Sequence, residues 1–399
     1  MPLRPPAGFV SAFYDPLNNP NAPTIGTATG GDASASVTFT APTNVGGSAI
    51  SSYSALSTPG GFVGTAASSP ISVTGLTNGT AYTFAVWAIN TYGPSAYSAS
   101  SNSVTPLAAL TGNIALFGSG TGDAGNTNTI SYVSISTTGN ATDFGDLSLE
   151  VANTASCSSS TRGLWSGGTN VYTDLIQFVT IINRGNSSTF GNLLAGTSYL
   201  TGCANATRGL FAGGLNSGAT VFNVIQYITI ATTGNATDFG DLSGPRWALA
   251  SCASTTRGLF AGGFNAASSA TANIDYVTIA STGNATNFGN LTVNTRGFAG
   301  CSSATRGVFG GNGAVVSNVI QYVTIASTGN ATDFGDLTQT SSNLSATSSS
   351  TRGLFGGGSG PTNVISYITI ASTGNATDFG DLTIALAQLS ACSNAHGGL

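Results

Sequence analysis

The sequence predicts an all-β chain whose larger, C-terminal part is one small four-stranded sheet repeated six times. Three observations carry that expectation. A phrase close to Arg-Gly-Leu-Phe-(Ala/Gly)-Gly-Gly returns at Arg162, Arg208, Arg257, Arg306 and Arg352, at gaps of 46, 49, 49 and 46 residues. A second phrase, Asn-Ala-Thr-Asp-Phe-Gly-Asp-Leu, stands at 140–147, 235–242, 330–337 and 375–382, with variants at 186–193 and 284–291. Between the two lie alternating apolar segments such as Asn223-Val224-Ile225-Gln226-Tyr227-Ile228-Thr229-Ile230. Their period of two and β-branched content suit strands, and the repeat length suits one sheet with its turns.

The fourth strand of each repeat precedes the arginine phrase. Residues 248–254 and the segments around Cys157, Cys203 and Cys301 are made of small side chains, as a strand crowded against a central axis requires. Each sheet then has an apolar face that only a neighbouring sheet can cover, and a radial arrangement gives a six-bladed β-propeller. The series opens on a degenerate copy, Ile114-Ala115-Leu116-Phe117-Gly118, and ends on a truncated one, His396-Gly397-Gly398-Leu399. The small-residue strand ending near Cys392 is therefore expected inside the first blade, closing the ring. Paired glycines such as Gly213-Gly214 read as turns with positive φ. No lysine follows them and no helix begins there, so they are not phosphate loops.

Residues 1–21 read as an extended anchoring arm. Pro2, Pro5, Pro6, Pro16 and Pro20 break regular structure, while Phe9, Phe13 and Tyr14 are apolar enough to dock on a larger assembly; a plain unstructured terminus is the competing expectation. No continuous apolar stretch follows Arg4, so neither a signal peptide nor a membrane span is expected. Residues 22–106 alternate short strand patterns with turns, at the size of a small sandwich. Leu76-Thr77-Asn78-Gly79-Thr80-Ala81-Tyr82, followed by Phe84, Val86 and Ala88, resembles the tyrosine-corner entry to the sixth strand of fibronectin type III domains, and 90–106 resembles their final hairpin. In this likeness Phe39 takes the place of the usual buried tryptophan. The resemblance implies a spacer or display module.

In repeat order, Pro245-Arg246, Cys252, Arg257-Gly258-Leu259-Phe260-Ala261-Gly262-Gly263, Tyr276 and Phe288-Gly289-Asn290-Leu291 resemble the kelch repeat, with phenylalanine replacing its last-strand tryptophan. Residues 107–399 are thus similar to a divergent kelch-like propeller. The regular Thr-Gly-Asn-Ala-Thr-Asp-Phe-Gly-Asp phrasing also resembles structural proteins of tailed bacteriophages, which implies a place on a virion, in capsid or tail.

Composition narrows the chemistry. All nine basic residues are arginine, charged residues make up 6% of the chain, and Glu150 and His396 are alone of their kind. A surface of Ser, Thr, Asn and Gly suits an exposed particle. Acid-base and metal catalysis need histidines and convergent carboxylates that are scarce here, so no enzyme, cofactor or metal is expected. The five cysteines read as small buried fillers too far apart to pair. The paired aspartates of Asp-Phe-Gly-Asp (143/146, 238/241, 333/336, 378/381) read as Asx turns or partners of the repeated arginines, with calcium binding the weaker alternative. With 8 arginines against 12 acidic residues in 107–399, nucleic acid is not an expected partner. Loops after the paired glycines are where repeats diverge. Tyr172, Phe222 and Phe264 there are the aromatics that could stack on a glycan or protein of a host surface, or simply cover sheet edges. The expected protein is a non-enzymatic virion component, a fibre, knob or decoration protein aiding attachment, joined to other virion proteins through its arm. A trimeric tip and a monomeric decoration could both use this fold, so a homo-oligomer is among the expected assemblies. An extracellular glycan- or protein-binding module is the alternative class.

Overall fold

The computed structural model describes residues 17–395, which are all strands, bridges and turns. Phe9, Phe13, Tyr14 and His396 lie outside the described residues. The chain separates into two compact units between Ala109 and Leu110.

The first unit holds two antiparallel sheets. One joins Thr24–Gly31, Ser34–Thr40 and Ile71–Thr74; the other joins Val63–Ala66, Ser52–Thr58, Thr83–Asn90 and Gly93–Pro94. Thr83–Asn90 alternates half-buried and buried side chains, sending Phe84, Val86 and Ala88 into a core with Val37, Phe39, Ile71 and Val73. Tyr82 is buried, and its phenol oxygen accepts the Thr77 N–H at 3.1 Å. Phe39 packs on Tyr53 with ring centroids 4.6 Å apart. Beyond Pro94 the edge is finished unusually. Ser95, Ser98 and Ser101 donate their N–H groups to the carbonyls of Ala88, Val86 and Phe84, and their hydroxyls accept the N–H groups of those same residues. A hydroxyl stands in for a main-chain carbonyl, so this edge advances three residues for every two of its partner.

The second unit contains six four-stranded antiparallel sheets, numbered I to VI in the order of their Leu-Phe strands. Sheet II is representative: Ala155–Ser158, Arg162–Ser166, Leu175–Thr180 and Ser188–Asn192 lie side by side in chain order. Sheet I draws its first strand from the other end of the chain. Ser390–Ser393 pairs antiparallel with Ile114–Gly118, followed by Thr129–Ser134 and Thr142–Asp146. The first strands of sheets II, III, IV, V and VI touch in succession, and Ser390–Ser393 touches both VI and II. Each interface buries a conserved-in-register set, such as Leu210, Ile225, Phe239 and Leu242 of sheet III against Phe260 and Val277 of sheet IV.

Hydrogen bonds between sheets form three layers. Nearest the first strands, Ser158, Ser393, Ser348 and Ser302 donate their hydroxyls to the carbonyls of Ser393, Ser348, Ser302 and Ala253. Farthest out, each Thr-Gly-Asn-Ala segment, or Arg184-Gly185-Asn186-Ser187 in its place, clamps the last strand of the preceding sheet. Asn186, Asn235, Asn284, Asn330, Asn375 and Asn140 accept the backbone N–H groups of Asp146, Asn192, Asp241, Asn290, Asp336 and Asp381, all at 3.0 Å. A side chain on Gly145 would run into the Gly185 carbonyl, which explains the glycine after each phenylalanine. The third layer is the ring described in the next subsection.

Two expectations for the charged repeats are corrected by this geometry. Asp-Phe-Gly-Asp is not a turn: Thr142–Asp146 and its five counterparts are strands, with a register shift that sends Phe144 into the core while Thr142 and Asp143 stay exposed. Nor do the repeated arginines pair with these aspartates. Arg162, Arg208, Arg257, Arg306 and Arg352 each donate to an isoleucine carbonyl of the next sheet at 2.8–2.9 Å and stand over a Phe or Tyr ring of their own sheet at 4.4–4.8 Å. Each guanidinium joins two sheets through a neutral acceptor and a π face.

All five cysteines are buried free thiols. Burial pushes Cys203 and Cys301 up to about 12, which keeps them protonated and unreactive. Their sulfurs explain the glycine of Arg-Gly-Leu-Phe, whose φ is not positive. Cys392, Cys157, Cys203, Cys252 and Cys301 lie where a Cβ on Gly163, Gly209, Gly258, Gly307 and Gly353 would come within 2.5–3.1 Å of Sγ. In the sixth interface Ala115 stands in place of glycine and Thr347 in place of cysteine. A packed pair of this kind is not open to change at one member alone. Gly307→Ala is expected to lower stability by about 1–3 kcal/mol. The same change in a Cys252→Ala background should cost less, giving a coupling energy measurable by denaturant titration of the four variants. Strict additivity would refute the contact.

A candidate binding funnel on the ring axis

One residue per sheet, four positions before the Cys/Thr site, adopts the left-handed conformation. These are Asn153, Tyr199, Ala248, Gly297, Asn343 and Gln388, with φ between +53° and +58°. Positive φ turns each N–H toward the neighbouring sheet. Asn153 donates to Gln388, Tyr199 to Asn153, Ala248 to Tyr199, Gly297 to Ala248, Asn343 to Gly297 and Gln388 to Asn343, at 2.6–3.0 Å. The six N–H···O=C bonds form a closed cycle.

This cycle is the mouth of a funnel of ≈ 120 Å³ walled by the first strands. Its lining includes Thr154, Ser156, Thr201, Ser251, Ser345 and Ser390, and no lining residue is charged. A narrower void of ≈ 50 Å³ shares Ser156, Gly202 and Ser251 as wall and continues among the cysteines. The mouth is lopsided. Asn343, Gln388 and Asn153 are consecutive around it and Tyr199 follows; Ala248 opposite carries only a methyl, and the Asn343 carboxamide oxygen fills the space beside Gly297.

Each amide is held by a hydrogen bond, Asn153 by a second one with Tyr199, and each keeps further capacity. Asn343 Nδ2 donates to Ser359 Oγ at 2.8 Å, Gln388 Oε1 accepts from Thr121 Oγ1 at 3.1 Å, and Asn153 Nδ2 reaches Thr169 Oγ1 at 3.3 Å. Among the described residues, Asn343 Oδ1 and Gln388 Nε2 have no partner. Burial raises the Tyr199 phenol above the ordinary tyrosine range, the neighbouring Tyr172 phenol adds to the rise, and a hydrogen bond with Asn153 opposes it. At neutral pH Tyr199 is a protonated donor.

From Tyr199 an aromatic run leads outward. Tyr199 meets Trp247 edge-on at 5.2 Å, Trp247 meets Phe264 at 4.8 Å, and Arg296 stands 4.4 Å over Phe264. Trp247 and Arg296 immediately precede Ala248 and Gly297, so bulk is supplied beside the two small mouth positions. Of the three loop aromatics singled out from the sequence, Phe264 belongs to this run and Tyr172 lies beside Tyr199. Phe222 stands apart from the ring contacts, its backbone tied to Gly214 and Arg246. All three are half-buried.

Asn153, Tyr199, Trp247, Arg296, Asn343 and Gln388 escaped the sequence analysis, which looked to the loops after the paired glycines. A signal was present: the spacing of four to the Cys/Thr position is constant while the residue there changes in nearly every repeat. Among the described residues, no three His, Cys, Asp or Glu side chains come together to hold a metal ion. Comparison with protein-family models finds no match, and neither does comparison with curated proteins.

The aromatic run rests on the one ion pair among the described residues. Arg246 Nη2 meets Asp275 Oδ2 at 2.5 Å, and both side chains are almost fully buried. Arg246 Nη1 also donates to the Gly262 and Asn273 carbonyls, while Asp275 Oδ2 accepts from Ser243. Burial lowers the guanidinium below the ordinary arginine value and Asp275 opposes that shift. Two other sheets place neutral residues at the same positions, Thr197 and Gln226 in one and Thr295 and Gln321 in the other, and there Gln226 and Gln321 accept the Leu194 and Thr292 N–H groups as Asp275 accepts that of Ser243. Asp275→Ala should therefore cost about 3–5 kcal/mol by leaving Arg246 unpaired. Arg246→Thr/Asp275→Gln, which copies the neutral solution, should recover most of that loss in thermal or denaturant unfolding; equal losses in both variants would contradict the assignment.

Proposed function

We infer that this chain is a non-enzymatic bacteriophage virion component, carried on capsid or tail, that presents a six-bladed kelch-like propeller after a fibronectin type III-like sandwich and assists attachment to a host. The sandwich assignment is supported by the Tyr82–Thr77 corner and the two facing sheets. The propeller assignment is supported by six like sheets and the cyclic mouth bonds.

The observation that carries the functional reading is how neutrally the second unit is held together. Its sheet-to-sheet bonds join carbonyls, hydroxyls, amides and guanidinium groups facing carbonyls, with a single ion pair among the described residues. Cohesion of this kind is little affected by salt screening or carboxylate titration. A head displayed in whatever medium surrounds a particle needs that indifference. The arm expected at Phe9, Phe13 and Tyr14 would supply attachment to the other virion proteins. The second reading, an extracellular glycan- or protein-binding module, is favoured by the funnel.

Antibodies against the full chain are expected to label intact particles in immuno-electron microscopy, and soluble chain should slow particle adsorption to host cells. Absence of the chain from the peptides of purified particles would overturn the virion assignment.

A further inference from the structure

The geometry points to the axial funnel as a binding site for one uncharged sugar residue of a glycan, with the remainder of the glycan running out over Trp247 and Phe264. The inference rests on the attachment reading and gives it a ligand class.

Four observations converge. The funnel's ≈ 120 Å³ is of the order of the about 150 Å³ that accepts a benzene ring; a pyranose with its hydroxyls is larger, so the funnel takes in one side of a single sugar ring whose remainder stands above the mouth. Its polar groups are amides, hydroxyls and a phenol, which both donate and accept, as sugar hydroxyls do. Asn343, Gln388 and Asn153 are adjacent around the mouth and can address neighbouring hydroxyls of one ring, with the Tyr199 side chain next in order beside them. The single methyl of Ala248 keeps the wall low beside Trp247, giving a second sugar a path outward over the aromatic run.

The absence of charge in the lining sets the specificity. A sialic or uronic acid carboxylate placed inside the funnel would meet no cationic side chain, because Arg296, whose charge reaches Tyr199, stands over Phe264 and is not among the lining residues. Glycoside hydrolysis uses a pair of carboxylates flanking the bond. The lining has none, so this site recognises sugar and leaves it intact.

The test is ligand-observed NMR and tryptophan fluorescence of the full chain against a panel of neutral and acidic oligosaccharides. At least one neutral oligosaccharide should bind and its acidic counterparts should not compete. Gln388→Ala and Asn343→Ala should each weaken binding about tenfold, the loss of one good hydrogen bond. Both should fold, because Ala248 already holds alanine in the same backbone conformation. Phe222→Ala, away from the funnel, should leave affinity unchanged. Failure of every neutral glycan to bind, or binding that survives the Gln388→Ala/Asn343→Ala double variant, would overturn the inference. Adsorption competition by soluble chain separates the two levels. Competition without glycan binding removes the funnel assignment and keeps attachment; glycan binding without competition does the reverse.

Discussion

The cycle of six main-chain hydrogen bonds through Asn153, Tyr199, Ala248, Gly297, Asn343 and Gln388 is the constraint on which the second unit depends. Each member must be left-handed to aim its N–H at the neighbouring sheet, and each carbonyl serves the next member. Nothing in such a cycle is terminal. Its closure requires the C-terminal strand Ser390–Ser393 to enter sheet I, because only then does Gln388 reach both Asn343 and Asn153. The same junction is repeated farther out, where Thr121 and Ala387 exchange backbone bonds, Asn140 accepts the Asp381 N–H and Arg352 reaches the Ile135 carbonyl. Residues some 250 positions apart in sequence are joined at every radius, and the sheet edges left over by an open series are removed.

Closure also accounts for the odd composition. Close approach of the first strands selects Gly, Ala, Ser and Cys, and a serine hydroxyl there can serve the carbonyl next door. Arginine survives where a long donor must cross from one sheet to the next while lying on an aromatic ring. Among the described residues a charge pair occurs in one place, at Arg246 and Asp275, and that is where the aromatic run is supported. The funnel and its surroundings therefore follow from the ring: the left-handed residues that make the cycle are also the ones whose side chains are free to differ.

Strands were legible because their periodicity is local. The alternation in Asn223–Ile230 and the small residues around Cys252 report burial directly, and both appear as strands within the expected sheet. The first-unit pattern at Phe84, Val86 and Ala88 was legible for the same reason. What could not be read depends on partners remote in sequence. Asp-Phe-Gly-Asp has turn-like composition, yet its glycine is there to admit the Gly185 carbonyl of another repeat, and its aspartate backbone is served by that repeat's asparagine. The glycine after each repeated arginine makes room for a thiol of another repeat. The mouth residues were overlooked because attention went to conspicuous loops, and the three-residue serine spacing at Ser95, Ser98 and Ser101 matches neither the strand nor the helix period.

The cycle itself is tested most directly by amide hydrogen exchange, resolved by NMR, at its six members. A closed cycle opens only when the unit opens, so all six amides should exchange together, in the slowest class and with the free energy of global unfolding. Fast exchange confined to the Asn153 and Gln388 amides, with the other four protected, would show a seam that is open between the two ends of the chain.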